Sequence, residues 1–284
     1  MLFARQTIQD FPFEPKLFKY EIKREKTARF LGVLINENLT WNDHISAIKA
    51  KMSRYVGVLY KLKKLLPLSA RKNIFHSFVQ SHLNFCSLVW GLGAKANIEP
   101  LFSEQKKAMR ALMPGFTVNY YKDGVIPCHT KPFFTEYNIQ TIHSIILTNI
   151  LVFMHKYHSH NLPSSVLNII SPEAPKISQS NENCKEWMTN HSIGILRNAI
   201  SFKGPLFYLN YFPEILSQCE DENKQNSIYT SSNSLKNRPK AFVLNMQARG
   251  CPNEWEGNNM PLYHLPSLPR DRRLNIPVIS YHEQ

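Results

Sequence analysis

Lys49, Lys51, Arg54 and Lys61 are four cations on one short stretch of chain, with Tyr55 and Tyr60 set among them. Ammonium and guanidinium groups neutralise phosphates without reading sequence, and tyrosine rings stack on bases or sugars. The same tyrosines could pack beside an apolar stripe, and the same cations could be a solvated face. Bond-making chemistry is less well provided for. Two-metal phosphoryl transfer needs carboxylates converging on ions about 3.5–4 Å apart. Of the 21 acidic residues only Glu220-Asp221-Glu222 cluster, in a polar tract that reads as a solvated loop. Gly-rich phosphate loops of the G-x-x-x-x-G-K-[ST] type, G-x-S-x-G elbows and H-E-x-x-H pairs are all missing from the sequence. His158 and His160 fall where a helix ends and suit its negative pole. The serines and threonines between 227 and 234 have no base at a telling spacing. We expect no catalytic residue, no metal site and no cofactor.

The five cysteines, Cys86, Cys128, Cys184, Cys219 and Cys251, are odd in number and contain no C-x-x-C pair. That spacing argues against a disulfide framework and against a zinc knuckle, and Cys128-His129 lacks a second ligand pair. Lys plus Arg total 34 against 21 Asp plus Glu, a net charge of +13. The excess is uneven. Residues 1–113 carry 19 basic and 8 acidic side chains, residues 114–284 carry 15 and 13. A basic part joined to a near-neutral part fits a polyanion engaging residues 1–113.

Several elements must carry these residues. Leu17–Ile22 and Phe30–Ile35 read as two short strands flanking the charged stretch Lys23–Arg29, the second apolar throughout, as a strand covered on both faces would be. Thr40 and Asp43 have capping-box spacing before a helix from Asn42 to Leu66, ended by Pro67. In that helix Ile45, Ile48, Met52, Val56, Leu59 and Leu62 recur every 3 or 4 residues, with Lys51, Arg54 and Lys61 on roughly the opposite side. A second helix capped by Ser69 presents Ile74, Phe78, Val79 and Leu83. A third opens at Asn97 or Glu99-Pro100 and runs to Pro114-Gly115. Residues 114–134 read as a loop, Ile139–Tyr157 as a buried fourth helix, and Ile193–Phe202 as a hairpin. From Cys219 onwards composition favours disorder. The expected fold is mainly α with a small β element. Its parts are strands in 1–41, a three-helix domain in 42–113, a helix and hairpin region in 114–217, and a disordered tail in 219–284. Met1–Phe13 lacks the apolar core of a secretory signal, and Ile142–Met154 is shorter than the roughly 20 residues that span a bilayer. Cytoplasm or nucleus is the expected location, with no membrane partner.

Phe30-Leu31-Gly32-Val33 followed by Leu39-Thr40-Trp41 and His44-Ile45 resembles a segment of non-LTR (LINE, jockey-like) retrotransposon reverse transcriptases. The order continues through Gly57, Leu59, Leu62, Leu66-Pro67, Leu83-Asn84-Phe85-Cys86 and Val89-Trp90-Gly91. Gln105-Lys106-Lys107-Ala108-x-Arg110, then Phe153-Met154-x-Lys156-Tyr157-His158 with Leu162-Pro163, are similar to later family segments. Asn198-x-Ile200-x-Phe202-Lys203-Gly204-Pro205 is similar to the family's closing segment, with Tyr208 where Trp is usual and one extra residue before Phe212-Pro213. The resemblance covers roughly residues 1–217.

The resemblance implies a thumb and downstream region. Phe30, Leu31 and Gly32 would belong to the element near the primer end. The helix from Asn42 would lie along the primer–template minor groove, with Lys49, Lys51, Arg54 and Lys61 on phosphates and Tyr55 beside them. Met1-Leu2-Phe3 would be the last palm strand, with the fingers, the palm and its paired aspartates upstream of Met1. The expected function is therefore a fragment of an RNA-directed DNA polymerase, inactive alone, that retains a basic nucleic-acid grip. Two alternatives are a domesticated RNA/DNA-binding or adaptor protein and an enzyme completed by another chain. Strands that have lost their sheet partners would make a covering partner chain necessary for solubility.

Overall fold

A 3.6-residue apolar period dominates the chain from Asn42 onwards, and the computed structural model is accordingly mainly α with a small β element. It describes residues 16–18, 20–21, 25–93, 95–113, 130–158 and 160–167, and helical positions at 200–201, 203–205, 207–208, 240–241 and 243–244. The strands are β1 (Lys16–Leu17), β2 (Tyr20–Glu21), β3 (Thr27–Phe30) and β4 (Val33–Asn36). The helices are α1 (Asn42–Leu62), α2 (Leu68–Ile74), a π-helical turn (Phe75–Gln80), α3 (Ser81–Asn84), α4 (Ser87–Trp90), α5 (Lys95–Leu112), α6 (Lys131–Glu136), α7 (Ile142–His158) and α8 (Ser164–Leu167). The chain divides into two units, residues 1–86 with 95–120 and residues 87–94 with 121–284. Ser87–Trp90 thus belongs to the second unit and not to the helical domain expected over 42–113.

The apolar run Phe30–Ile35 is not one doubly covered strand. It folds back on itself: β3 and β4 pair antiparallel, Phe30 opposite Val33 and Thr27 opposite Asn36. Leu31 and Gly32 form a two-residue turn with φ of 45° and 88°, both positive as a type I′ hairpin requires. Glycine at the second turn position makes that reversal accessible, and an apolar composition alone does not exclude it. The expected strand Leu17–Ile22 is likewise bent, into β1 and β2 around Phe18.

In α1 the expected stripe is buried at Ile45, Ile48, Met52, Val56 and Leu59, while its last member, Leu62, is only half-buried. The helix packs chiefly against α5, and it stops at Leu62 rather than Leu66. The expected capping box does not form. Trp41 is the N-cap with φ of 64° and no side-chain cap bond. Thr40 and Asp43 serve the hairpin instead. Asn36 Nδ2 donates to Thr40 Oγ1 at 2.7 Å, the Thr40 N–H donates to Asn36 Oδ1 at 2.9 Å, and Thr27 Oγ1 donates to Asp43 Oδ2 at 3.3 Å. A lost N-cap costs about 1 kcal/mol, less than burying one Leu or Ile contributes, so the stripe governs.

The second helix differs from its expected face. Phe75, Val79 and Leu83 are buried, whereas Phe78 is substantially exposed. A row spaced by four drifts by about 40° per step in a regular α-helix, and the intervening π turn offsets that drift. Its cap is Pro67, not Ser69. Arg71 is buried and donates from one guanidinium nitrogen to the Leu112 carbonyl at 2.9 Å and the Ala111 carbonyl at 3.3 Å, closing the last turn of α5. The third helix begins at Lys95, so Pro100 lies inside it.

The second unit is built on α7, which is buried on nearly every side. Two polar pairs lie along it: Gln140 Nε2 donates to Thr148 Oγ1 at 2.8 Å, and Asn149 Nδ2 to Ser87 Oγ at 2.8 Å. α6 begins at Lys131, inside the loop expected over 114–134, with Pro132 in its first turn, a position that suits proline. Ile200 and Ser201, at the end of the expected hairpin, are helical. So are Lys240, Ala241, Val243 and Leu244, and Val243 is fully buried within the stretch expected to be disordered. The remainder of that hairpin and tail, and the expected palm strand Met1–Phe3, lie outside the described residues.

Two glycines report on this packing with opposite signs. A Cβ on Gly57, mid-way along α1, would meet nothing within 4 Å, so Gly57→Ala should stabilise by about 1 kcal/mol. A Cβ on Gly91 would stand 2.8 Å from Ile146 Cγ1, so Gly91→Ala should destabilise by about 1–3 kcal/mol. Urea unfolding of the two variants checks both.

Candidate nucleic-acid interface

At about 100° per residue, His44, Lys51, Tyr55, Val58 and Leu62 fall along one flank of α1's buried stripe. Lys49 lies on the other flank, near Tyr60, while Arg54 and Lys61 lie close to the side opposite the stripe. The four cations therefore do not form one row, and Lys51 is half-buried rather than on the far face. Lys49, Arg54 and Lys61 are exposed. Arg54 Nε reaches back to the Ala50 carbonyl at 3.4 Å, along its own helix.

The Lys51 flank meets two other elements. The Tyr55 ring stacks on Phe78, with centroids 4.8 Å apart, and on His82 at 5.8 Å, the planes within 25° in each case. The hairpin is fixed to the same flank because the Leu34 N–H donates to His44 Nδ1 at 3.3 Å. Its turn sits beside α3: a Cβ on Gly32 would lie 3.5 Å from the Phe85 ring. So Phe30, Leu31, Gly32, Lys51 and Tyr55 are brought into one region, joined through His44, His82 and Phe85. Phe30 is 64 % exposed and Leu31 79 %, while Phe78 is 43 % and Phe85 50 % exposed. Phe78, His82 and Phe85 are absent from the nucleic-acid contacts expected from sequence, although their spacing is i, i+4, i+7; Phe78 was expected as part of an apolar helix face.

Both histidines of this region are held below the ordinary imidazole value. For His44 and His82 alike the larger cause is burial and the smaller is the positive charge of Lys51. Each is therefore neutral near pH 7 and offers its ring rather than a charge.

In the second unit His155 is buried, and its Nδ1 lies 3.2 Å from the Tyr208 hydroxyl. His158 stacks on the same Tyr208 ring, centroids 4.6 Å apart. Tyr208 is fully buried, so it serves as packing where the resembled family has Trp. Lys203 Nζ donates to the Leu92 carbonyl at 3.2 Å. Among the described residues no group of three or more His, Cys, Asp or Glu could hold a metal ion, and no helix is long and apolar enough to cross a membrane.

Over 94 residues, 32% of its length, the chain is 24% identical to the "Probable RNA-directed DNA polymerase from transposon X-element" of Drosophila melanogaster. The chain spans about a tenth of that protein, the match covering 10% of it. No family model matches the chain. No solved structure gives a significant match.

Burial lowers the imidazole of His155 to about 4. Unfolded, it takes up a proton near pH 6.5; folded, only near 4. Stability should thus be complete above about pH 6.5 and fall as the pH drops from there to about 4, by at most about 3 kcal/mol. His44 and His82 add to the loss with the same sign. Urea midpoints measured between pH 7 and 4 should decline, and His155→Gln, which cannot titrate, should flatten the decline.

Proposed function

We propose that residues 1–113 grip nucleic acid as the thumb and adjoining hairpin of a non-LTR retrotransposon reverse transcriptase would, and that these 284 residues do not themselves carry phosphoryl transfer. One observation carries the reading. Leu31 is 79 % exposed at a φ of 45°, where a left-handed backbone costs a leucine roughly 1–2 kcal/mol. Asparagine is the favoured residue at that position of a type I′ turn. An apolar side chain held out into water against the preference of its own backbone is placed for contact with another molecule. Around it, residues 1–113 carry 19 cations against 8 anions. The similarity to an RNA-directed DNA polymerase supports nucleic acid as that molecule.

In this reading Phe30, Leu31 and Gly32 contact a primer strand, and Lys51 with Tyr55 continues the contact along α1. Lys49, Arg54 and Lys61 reach phosphates from other parts of the helix surface. Phosphate contacts release counterions, so affinity for an RNA–DNA hybrid falls steeply with salt. A protein partner seated on the apolar tip, in an adaptor, is the rival reading, and it predicts no such dependence.

Leu31→Asn separates a contact residue from a structural one. It should stabilise the chain by about 1 kcal/mol and weaken hybrid binding about tenfold, the opposite sign on two readouts. Lys49→Ala and Lys61→Ala should each lower the slope of log affinity against log salt by about 1. Unchanged affinity in Leu31→Asn, or binding insensitive to salt, contradicts the grip. Primer extension by the purified chain with Mg²⁺ contradicts the second half of the proposal.

A further inference from the structure

Phe78 on the π turn and His82 on α3 lie nearly parallel to the Tyr55 ring, and Phe85 follows as the residue that ends α3. Phe78 and Phe85 keep about half their surface in water. Such rings add little to a grip on duplex, where the bases are already stacked and only grooves and phosphates are offered. They suit bases that have left a helix, because every base has a π face and stacking on aromatic side chains tolerates any sequence.

We infer that Phe78, Tyr55, His82 and Phe85 are a stacking surface for the bases of an unpaired nucleic-acid strand, with Lys51 beside it to neutralise backbone phosphate. The inference rests on the nucleic-acid reading and sharpens it to a single-stranded segment. Three observations support it. Lys51 precedes Tyr55 by four residues on α1, so charge and ring share a flank. The row is continuous with the hairpin turn through the approach of Gly32 to the Phe85 ring. The excess of cations over residues 1–113 complements a polyanion rather than an apolar protein surface.

The test uses the full chain and three labelled oligonucleotides, followed by fluorescence anisotropy. They are a single strand, a blunt RNA–DNA hybrid, and the same hybrid with an unpaired extension. The extended hybrid should bind more tightly than the blunt one. Phe78→Ala and Phe85→Ala should each weaken the single strand and the extended hybrid about tenfold and leave the blunt hybrid unchanged. Phe78→Tyr should restore binding. If an alanine variant fails to fold, Phe78→Leu decides, since it keeps apolar volume and removes the π face. Equal losses on blunt and extended hybrids, or no loss on any ligand while binding stays salt-dependent, overturns the stacking surface and leaves the grip standing. Failure of all three ligands to bind overturns both.

Discussion

Burial of Ile45, Ile48, Met52, Val56 and Leu59 sets the orientation of α1, because residues recurring every 3 or 4 positions occupy one side of a helix and that side must leave water. Each such side chain contributes about 1.5–3 kcal/mol, so the stripe outweighs any single surface interaction on the helix. Once it faces inward, the two flanks and the outer side are fixed without further choice. Lys51 and Tyr55 go to one flank, Lys49 to the other, and Arg54 and Lys61 outward. The proposed interface follows from that rotation.

The hairpin is attached to this frame by polar bonds as well as by the buried side chain of Val33. Asn36, Thr40, Asp43 and His44 hold it at the start of α1, and Asn97 Nδ2 donates to the Thr40 carbonyl at 3.0 Å, tying α5 to the same point. Phe30 and Leu31, which pair and turn the hairpin through their backbone, keep most of their side-chain surface in water. In the second unit the same physics has the opposite result. α7 buries its surface almost completely, with Thr148 bonded to Gln140 and Asn149 to Ser87. His155 and His158 pack against Tyr208.

Helix α1, its stripe and the buried character of α7 were legible in the sequence because 3.6-residue periodicity survives any tertiary context. The turn within Phe30–Ile35 was not, since an unbroken apolar run carries no alternation and only Gly32 hints at a reversal. Thr40 and Asp43 have the spacing of a cap, but Asn36 lies close enough in the fold to compete for both. Of the site residues, Lys51 and Tyr55 fall together because they are four apart on one helix. Phe78 was assigned to the core, and the π turn that rotates it outward has no local sequence signal. Phe85 meets the hairpin turn through Gly32, a contact between residues 53 positions apart.

The central claim is that nucleic acid meets the region joined by the hairpin turn, Lys51 and Tyr55. Photo-crosslinking the full chain to an iodouracil-substituted hybrid with an unpaired extension, and mapping the adducts by mass spectrometry, tests this most directly. Adducts should fall on Phe30, Tyr55, Phe78 or Phe85. Adducts confined to the second unit, or none at a salt concentration where binding is measured, would contradict it.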